Sequence, residues 1–66
     1  MIIIVNGRER TIQENLTIQR LLEELGLAPA HVVVELNRNI LTQDQFSRVR
    51  LKAGDALELV QFVGGG

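Results

Sequence analysis

The sequence predicts an α+β fold, in which one helix packs on one face of a mixed sheet of four to five strands. Three features indicate this fold: a β-branched run within residues 1–5, a stripe of apolar residues at helical spacing in 18–25, and an alternating segment at 56–63. A chain of 66 residues is long enough for one hydrophobic core and too short for two. We therefore expect one domain over 1–63, followed by a flexible glycine tail at 64–66.

The first two strands are predicted to form a hairpin. The run Met1–Val5 is typical of a strand that is buried on much of both faces. Asn6-Gly7 follows, and this pair favours a type I′ turn because both central residues of such a turn have a positive φ. The returning strand, Arg8–Ile12, is more polar, so we expect it nearer an edge of the sheet.

The single predicted helix follows a loop at Gln13–Leu16. Thr17 is placed to cap this helix, because its hydroxyl can accept a hydrogen bond from a backbone N–H of the first turn. Gly26 can adopt the left-handed conformation that ends a helix, and Pro29 lies beyond the last turn. Four apolar residues at i, i+3, i+4 and i+7 form one stripe toward the sheet: Ile18, Leu21, Leu22 and Leu25.

The middle of the chain predicts one clear strand and one short one. His31–Leu36 has three valines at its centre, and the Asn-Arg-Asn sequence at 37–39 favours a turn. Ile40-Leu41 is then a short strand or the end of one. The short apolar pieces between residues 39 and 51 allow several connections, so the path of the chain there is left open.

The segment Thr42–Arg48 is predicted to contain a single helical turn around Asp44–Ser47. Phe46 lies within this turn and is the natural anchor that holds it on the core. Val49 and Leu51 then return toward the core before the last turn of the chain.

The last strand is predicted at Ala56–Val63, after a tight turn at Ala53–Asp55. Leu57 and Leu59 alternate with Glu58 and Val60, which is the pattern of a strand with one buried face. We expect the two leucines to face the helix.

Alternation along the first and last strands also predicts an exposed apolar patch. Ile3 and Val5 face the core, so every second side chain of both strands points to the open face. The residues expected to form this partner-binding patch are Ile2, Ile4, Val60 and Phe62, with Val60 and Phe62 beside Ile2 or Ile4. The alternative is that loops of the chain itself cover these side chains.

The sequence ends in Gly64-Gly65-Gly66, directly after a strand. Three extended residues reach on the order of 10 Å beyond the domain, and glycines can enter a channel too narrow for other residues. A terminal carboxylate is ionised at neutral pH and is a poor electrophile until another molecule activates it. A frayed terminus or a remnant of cloning is the alternative interpretation.

Composition excludes several classes of function. Seven Lys and Arg against eight Asp and Glu, with two aromatic residues, argue against a nucleic-acid binder, which needs a cationic face or a stacking platform. The absence of cysteine removes disulfides, thiolate nucleophiles and cysteine-based metal sites. No apolar run reaches the length of a membrane span and no signal peptide is evident, so we expect no membrane partner and a cytoplasmic location.

Two other groups of polar residues have a structural interpretation that is simpler than a functional one. His31, Asp44 and Ser47 include the residue types of a catalytic triad, but their spacing does not align them, and one histidine cannot form a usual transition-metal site. Three basic residues occupy alternate positions in the chain: Arg48, Arg50 and Lys52. Such a row is typical of a solvated strand face, and the alternative is an electrostatic guide for an acidic partner.

Taken together, these segments resemble the ubiquitin-like β-grasp sulfur carriers, most closely those of thiamine biosynthesis. The resemblance covers essentially the whole chain and depends on four segments: Ile2–Gly7, Ile18–Leu25, Val32–Asn37 and Gly54–Gly66. The last of these carries the most weight. The chain departs from the family pattern in having a third glycine, Gly64, before the terminal pair.

The resemblance implies a carrier that is not an enzyme and binds no cofactor or metal. An adenylating, E1-like enzyme would use ATP to adenylate the carboxylate of Gly66, and a sulfur donor such as a cysteine desulfurase would displace AMP to leave a thiocarboxylate. Gly64 and Gly65 would let the tail enter the partner sites, and thiazole synthase would receive the sulfur. Two alternatives remain: the small subunit of molybdopterin synthase, and an unmodified ubiquitin-like interaction module.

Overall fold

The sheet in the computed structural model contains five strands, and the residues described are 1–62. The strands are β1 (Ile2–Val5), β2 (Arg8–Thr11), β3 (Val32–Leu36), β4 (Asn39–Leu41) and β5 (Ala56–Gln61). Their order across the sheet is β2-β1-β5-β3-β4, with β1 and β5 parallel and the other pairs antiparallel. The predicted tail at 64–66 and the predicted strand end at Val63 lie outside the described residues.

Both hairpin turns of the sheet have two residues with positive φ. Asn6 and Gly7 have φ of 51° and 80°, which confirms the predicted type I′ turn between β1 and β2. Asn37 and Arg38 have φ of 49° and 72°, so the second turn is also of this type. It occupies two residues rather than the predicted three, because Asn39 already pairs with Leu36 and begins β4.

The helix α1 (Ile18–Glu24) is capped at both ends as its sequence predicts. The Thr17 hydroxyl accepts a hydrogen bond from the backbone N–H of Arg20 at 3.2 Å. Gly26 has φ 73°, and its N–H donates to the carbonyl of Glu23 at 3.0 Å. The N–H of Leu27 donates to the carbonyl of Leu22 at 2.8 Å, so two carbonyls of the last turn are satisfied without water.

The apolar stripe of α1 packs on one face of the sheet and forms the core with the three central strands. Ile3, Val34 and Leu57 are the fully buried residues that β1, β3 and β5 contribute. The remaining core side chains come from the helix, from the end of β3 and from the connections: Ile12, Leu16, Ile18, Leu21, Leu22, Val32, Phe46 and Leu51. The connections therefore close the core at its ends, which a helix of two turns could not do alone.

The predicted helical turn near residue 45 is a short 3₁₀ helix at Gln43–Gln45, one residue earlier than expected. Thr42 sets this start, because its main-chain carbonyl accepts from the backbone N–H of Gln45 at 2.9 Å, while the Gln45 side chain accepts from the N–H of Thr42 at 2.8 Å. Phe46 follows the turn and is buried, so its predicted role as an anchor is confirmed.

Several predicted strand ends differ from the observed ones by one or two residues, and β1 and β2 each lack one terminal residue of the prediction, Met1 and Ile12. His31 belongs to a second 3₁₀ helix, Pro29–His31, because Pro29 has the φ of a helical first turn and the His31 N–H bonds to the carbonyl of Ala28. β5 ends at Gln61, so Phe62 lies just beyond the strand rather than within it.

Candidate functional site

The chain approaches its C-terminus along the central strand of the sheet. β5 pairs with β1 on one side through Ile4 with Ala56 and Val5 with Leu57, and it pairs with β3 on the other side from Leu57 to Gln61. The start of β5 is thus held by neighbouring strands along both edges, while its second half pairs with β3 along one edge.

Asn6 extends the support of β5 beyond the end of β1. Its side-chain Oδ1 accepts from the N–H of Leu59 at 2.7 Å, and its Nδ2 donates to the carbonyl of the same residue at 3.2 Å. The Asn6 backbone N–H also donates to the carbonyl of Leu57 at 2.9 Å. The side-chain amide of Asn6 thus makes the hydrogen bonds to β5 that a neighbouring strand would make, at a point where β1 has ended.

Asn37 has the equivalent role at the start of β5. Its Oδ1 accepts from the N–H of Ala56 at 2.9 Å, and its Nδ2 donates to Oδ1 of Asp55 at 3.0 Å. The other carboxylate oxygen of Asp55 accepts from the N–H of Lys52 at 2.7 Å, which closes the turn before the strand. Sequence reasoning treated Asn6 and Asn37 only as turn formers, because their partners lie far away along the chain.

Phe62 marks the point at which the described chain leaves the sheet. Its backbone N–H donates to the carbonyl of His31 at 2.9 Å and so extends the pairing of β3 with β5 by one residue. The two rings meet edge to face, with centroids 6.1 Å apart and planes at 63°. The Phe62 side chain remains 46% exposed. The last described residue therefore presents an aromatic ring that is both supported and accessible.

The predicted apolar patch is exposed, but it is divided into two groups. The exposure of Ile2, Ile4, Val60 and Phe62 is confirmed. The expectation that Val60 and Phe62 lie beside Ile2 or Ile4 is wrong. The parallel register places Ile4 opposite Ala56, so Val60 lies four residues, or about 13 Å, further along the sheet.

Near the tail, Val60 has a different apolar neighbour. Val33 on β3 pairs directly with Val60 on β5, and both side chains are exposed. We call Val33, Val60 and Phe62 the tail-proximal group, and Ile2 and Ile4 the hairpin group. Sequence reasoning missed Val33, although the alternation of β3 would have placed it on the open face.

Two acidic side chains separate these groups on the open face. Glu58 lies between Ala56 and Val60 on β5 and pairs directly with Glu35 on β3. Together with Asn37, Arg38 and Ala56, the two carboxylates line a shallow depression. The two ion pairs found within residues 1–62 are elsewhere, at Arg20–Glu23 and Asp44–Arg48, so neither Glu35 nor Glu58 forms an ion pair there.

The residue types of a triad are not connected. The pKa of Asp44 lies below its ordinary value, mainly because of a hydrogen bond with Thr42, and Asp44 also pairs with Arg48 at 3.9 Å. His31 instead contacts Phe62. Within residues 1–62 no group of three or more His, Cys, Asp or Glu side chains lies close enough to hold a metal ion.

The row of basic residues has mainly structural contacts. Arg48 pairs with Asp44, and Nη1 of Arg50 donates to the carbonyl of Asn15 at 3.0 Å. The proposed steering of an acidic partner by this row stays a prediction. In the described part of the chain, no helix has the length and hydropathy needed to cross a membrane.

The order β2-β1-β5-β3-β4, with one helix across it and a central last strand, defines the chain as a β-grasp domain. The ThiS family profile matches residues 3–66. The chain belongs to this family.

Individual relatives agree with this assignment. The chain is 36% identical to the sulfur carrier protein ThiS of Bacillus subtilis over 63 residues, which cover 94% of this chain and 96% of that protein. The crystal structure of the thiamine biosynthesis protein ThiS from Geobacter metallireducens superposes with a TM-score of 0.84 at 40% identity and covers 100% of both chains. A thiazole synthase from Paramagnetospirillum magneticum is 39% identical over 66 residues, which are 100% of this chain and 20% of that protein. The chain thus spans about one fifth of the length of that relative.

Proposed function

We propose that the carboxylate of Gly66 is the reactive group of this chain and carries sulfur as a thiocarboxylate to thiazole formation. The supporting observation is the position of β5, which is internal to the sheet and leads through Phe62 directly into the last four residues. The family profile also extends through residue 66. The folded domain then serves as a rigid handle for a reactive end.

The chemistry needs an activating partner because a carboxylate resists nucleophilic attack. In the proposed reaction, an oxygen of the Gly66 carboxylate attacks the α-phosphorus of ATP, and pyrophosphate leaves. The sulfur of a donor, such as a persulfide from a cysteine desulfurase, then attacks the acyl carbon and AMP leaves. The product is an acyl disulfide with the donor cysteine, and a second thiol then cleaves its S–S bond by forming a disulfide with that cysteine, which releases the thiocarboxylate. ATP is bound by the adenylating, E1-like enzyme, and this chain is its substrate rather than a catalyst.

The tail-proximal group is the proposed docking surface for these enzymes. Val60 and Phe62 lie nearest the tail on an exposed face, which is where a partner that receives the tail must make contact. Gly64 and Gly65 add no side chains that would widen the tail on its way into a partner site. Ile2 and Ile4 lie too far along the sheet to share one small contact with Phe62, and we assign them to the margin of a larger interface.

Thiazole synthase is the proposed acceptor of the sulfur. The support is that proteins named thiazole synthase contain a segment that aligns with this whole chain, so a domain of this kind occurs in one polypeptide with a synthase. Molybdopterin synthase is the alternative acceptor, and the similarity to ThiS proteins favours thiamine over it.

The proposal is tested by changing the last residue. Addition of one alanine after Gly66 should abolish adenylation, measured as ATP–pyrophosphate exchange with the cognate adenylating enzyme, because the carboxylate is displaced from the reaction centre. Ser47→Ala is the matched control, because Ser47 is exposed and no hydrogen bond of its side chain is seen within residues 1–62; its exchange rate should equal that of the parent chain.

Intact mass of the chain isolated from its native cells provides the second measurement. A fraction of the molecules should have one oxygen of the C-terminal carboxylate replaced by sulfur. Undiminished exchange by the extended chain, or a native mass that never includes the sulfur, would show that the terminus is not the carrier group and would favour an unmodified interaction module.

A further inference from the structure

The contact between His31 and Phe62 has no evident role in the stability of the core. His31 is exposed, and its side chain makes no hydrogen bond or ion pair with any other residue in 1–62. Its ring instead lies edge to face against Phe62, at a centroid distance of 6.1 Å, which is within the favourable range for aromatic pairs. Because one exposed ring packs against another, we infer that the orientation of the Phe62 ring matters.

We propose that His31 is a positioning residue that holds the Phe62 ring in one orientation for docking to the adenylating enzyme. This inference rests on the carrier function proposed above. Phe62 lies one residue beyond β5. Strand pairing at this position therefore does not require a neighbouring side chain that would fix the Phe62 rotamer. The His31 ring supplies that constraint from the end of the 3₁₀ helix Pro29–His31.

The energetic reason is that an aromatic anchor binds more tightly when its rotamer is already fixed. A free ring at the end of a strand loses rotational freedom on binding, and this loss weakens the complex. The free energy of one edge-to-face contact corresponds to about a threefold to tenfold change in a binding constant. The contact therefore suits a modest gain in affinity rather than a switch.

The backbone and side-chain parts of the contact can be separated by mutation. The Phe62 N–H bonds to the main-chain carbonyl of His31, and a substitution at position 31 retains this bond. His31→Ala thus removes only the ring, whereas His31→Phe keeps a ring of similar size without the imidazole nitrogens. His31→Gln keeps a polar side chain without a ring.

The first measurement is the kinetics of the adenylating enzyme with each variant as substrate. We expect His31→Ala and His31→Gln to raise KM for the carrier about threefold to tenfold with kcat unchanged, and His31→Phe to restore the parent value. Melting temperatures should agree across the series. A fall in melting temperature without a change in KM would show a merely structural role and overturn the proposal, as would an equal rise in KM for His31→Phe.

The second measurement uses the isolated chain and does not depend on carrier chemistry. The three-bond couplings about the Cα–Cβ bond of Phe62, measured by NMR, should indicate one rotamer in the parent and in His31→Phe, and averaging among rotamers in His31→Ala. Couplings that are identical in His31→Ala and the parent would overturn the proposal. If no variant were adenylated, the carrier function would fail, while the couplings would still decide whether His31 orders Phe62.

Discussion

The two faces of the sheet use the same residue types for different purposes. Ile3 and Ile4 are neighbours in β1, yet Ile3 is fully buried under α1 and Ile4 is 38% exposed. Val34 and Val33 differ in the same way on β3. One short helix covers only one face, so apolar side chains on the other face are only partly buried and gain less from folding. They include the residues of the docking surface proposed above.

The largest expected effect is a difference in the free energy of unfolding between variants on the two faces of the sheet. Ile3→Ala should reduce the free energy of unfolding by about 2–5 kcal/mol, because it leaves a cavity in a closed core. Ile4→Ala, its matched control on the open face, should cost less than about 1 kcal/mol. Urea unfolding followed by far-UV circular dichroism measures both. Equal losses for the two variants would mean that the open face is part of the folding core.

The second effect tests which apolar group binds. Phe62→Ala should weaken binding to the adenylating enzyme by about 2 kcal/mol, or roughly thirtyfold, because it removes a central aromatic anchor. Ile2→Ala is the control, because Ile2 is 49% exposed against 46% for Phe62 but belongs to the hairpin group. Its affinity should change little in isothermal titration calorimetry, and both variants should keep the melting temperature of the parent. A loss of affinity confined to Ile2→Ala would reverse the assignment of the two groups.

The elements of the fold were predictable because their signals are local. The Asn6-Gly7 turn, the Thr17 cap and the Gly26 end of the helix each depend on residues within a few positions of one another, and each is observed. The core residues Ile3, Leu21 and Leu57 followed from alternation and helical spacing for the same reason, whereas Leu16 was predicted only as part of a loop. Small errors occurred where competing local signals meet, as at His31, where the proline turn takes precedence over the valine strand.

The arrangement of the open face was not predictable in the same way. Alternation shows which side a residue faces, but not its position relative to residues of another strand. The parallel register of β1 with β5 decides that Val60 neighbours Val33 rather than Ile4. The bonds of Asn6 to Leu59 likewise join residues 53 positions apart, and no short-range pattern encodes them.

The smallest effect concerns the acidic pair between the two apolar groups. Glu35 and Glu58 are directly opposite each other, and like charges in such a position destabilise a sheet. Glu58→Gln should therefore raise the free energy of unfolding by about 0.2–0.5 kcal/mol at low ionic strength, and the gain should shrink in about 1 M salt as the charges are screened. Chemical denaturation at the two salt concentrations measures the difference, and Glu24→Gln on the exposed side of the helix is the control. A gain in stability that survives high salt would show that packing, rather than repulsion between Glu35 and Glu58, is responsible. The open face would then carry no electrostatic cost that a cationic partner surface could relieve.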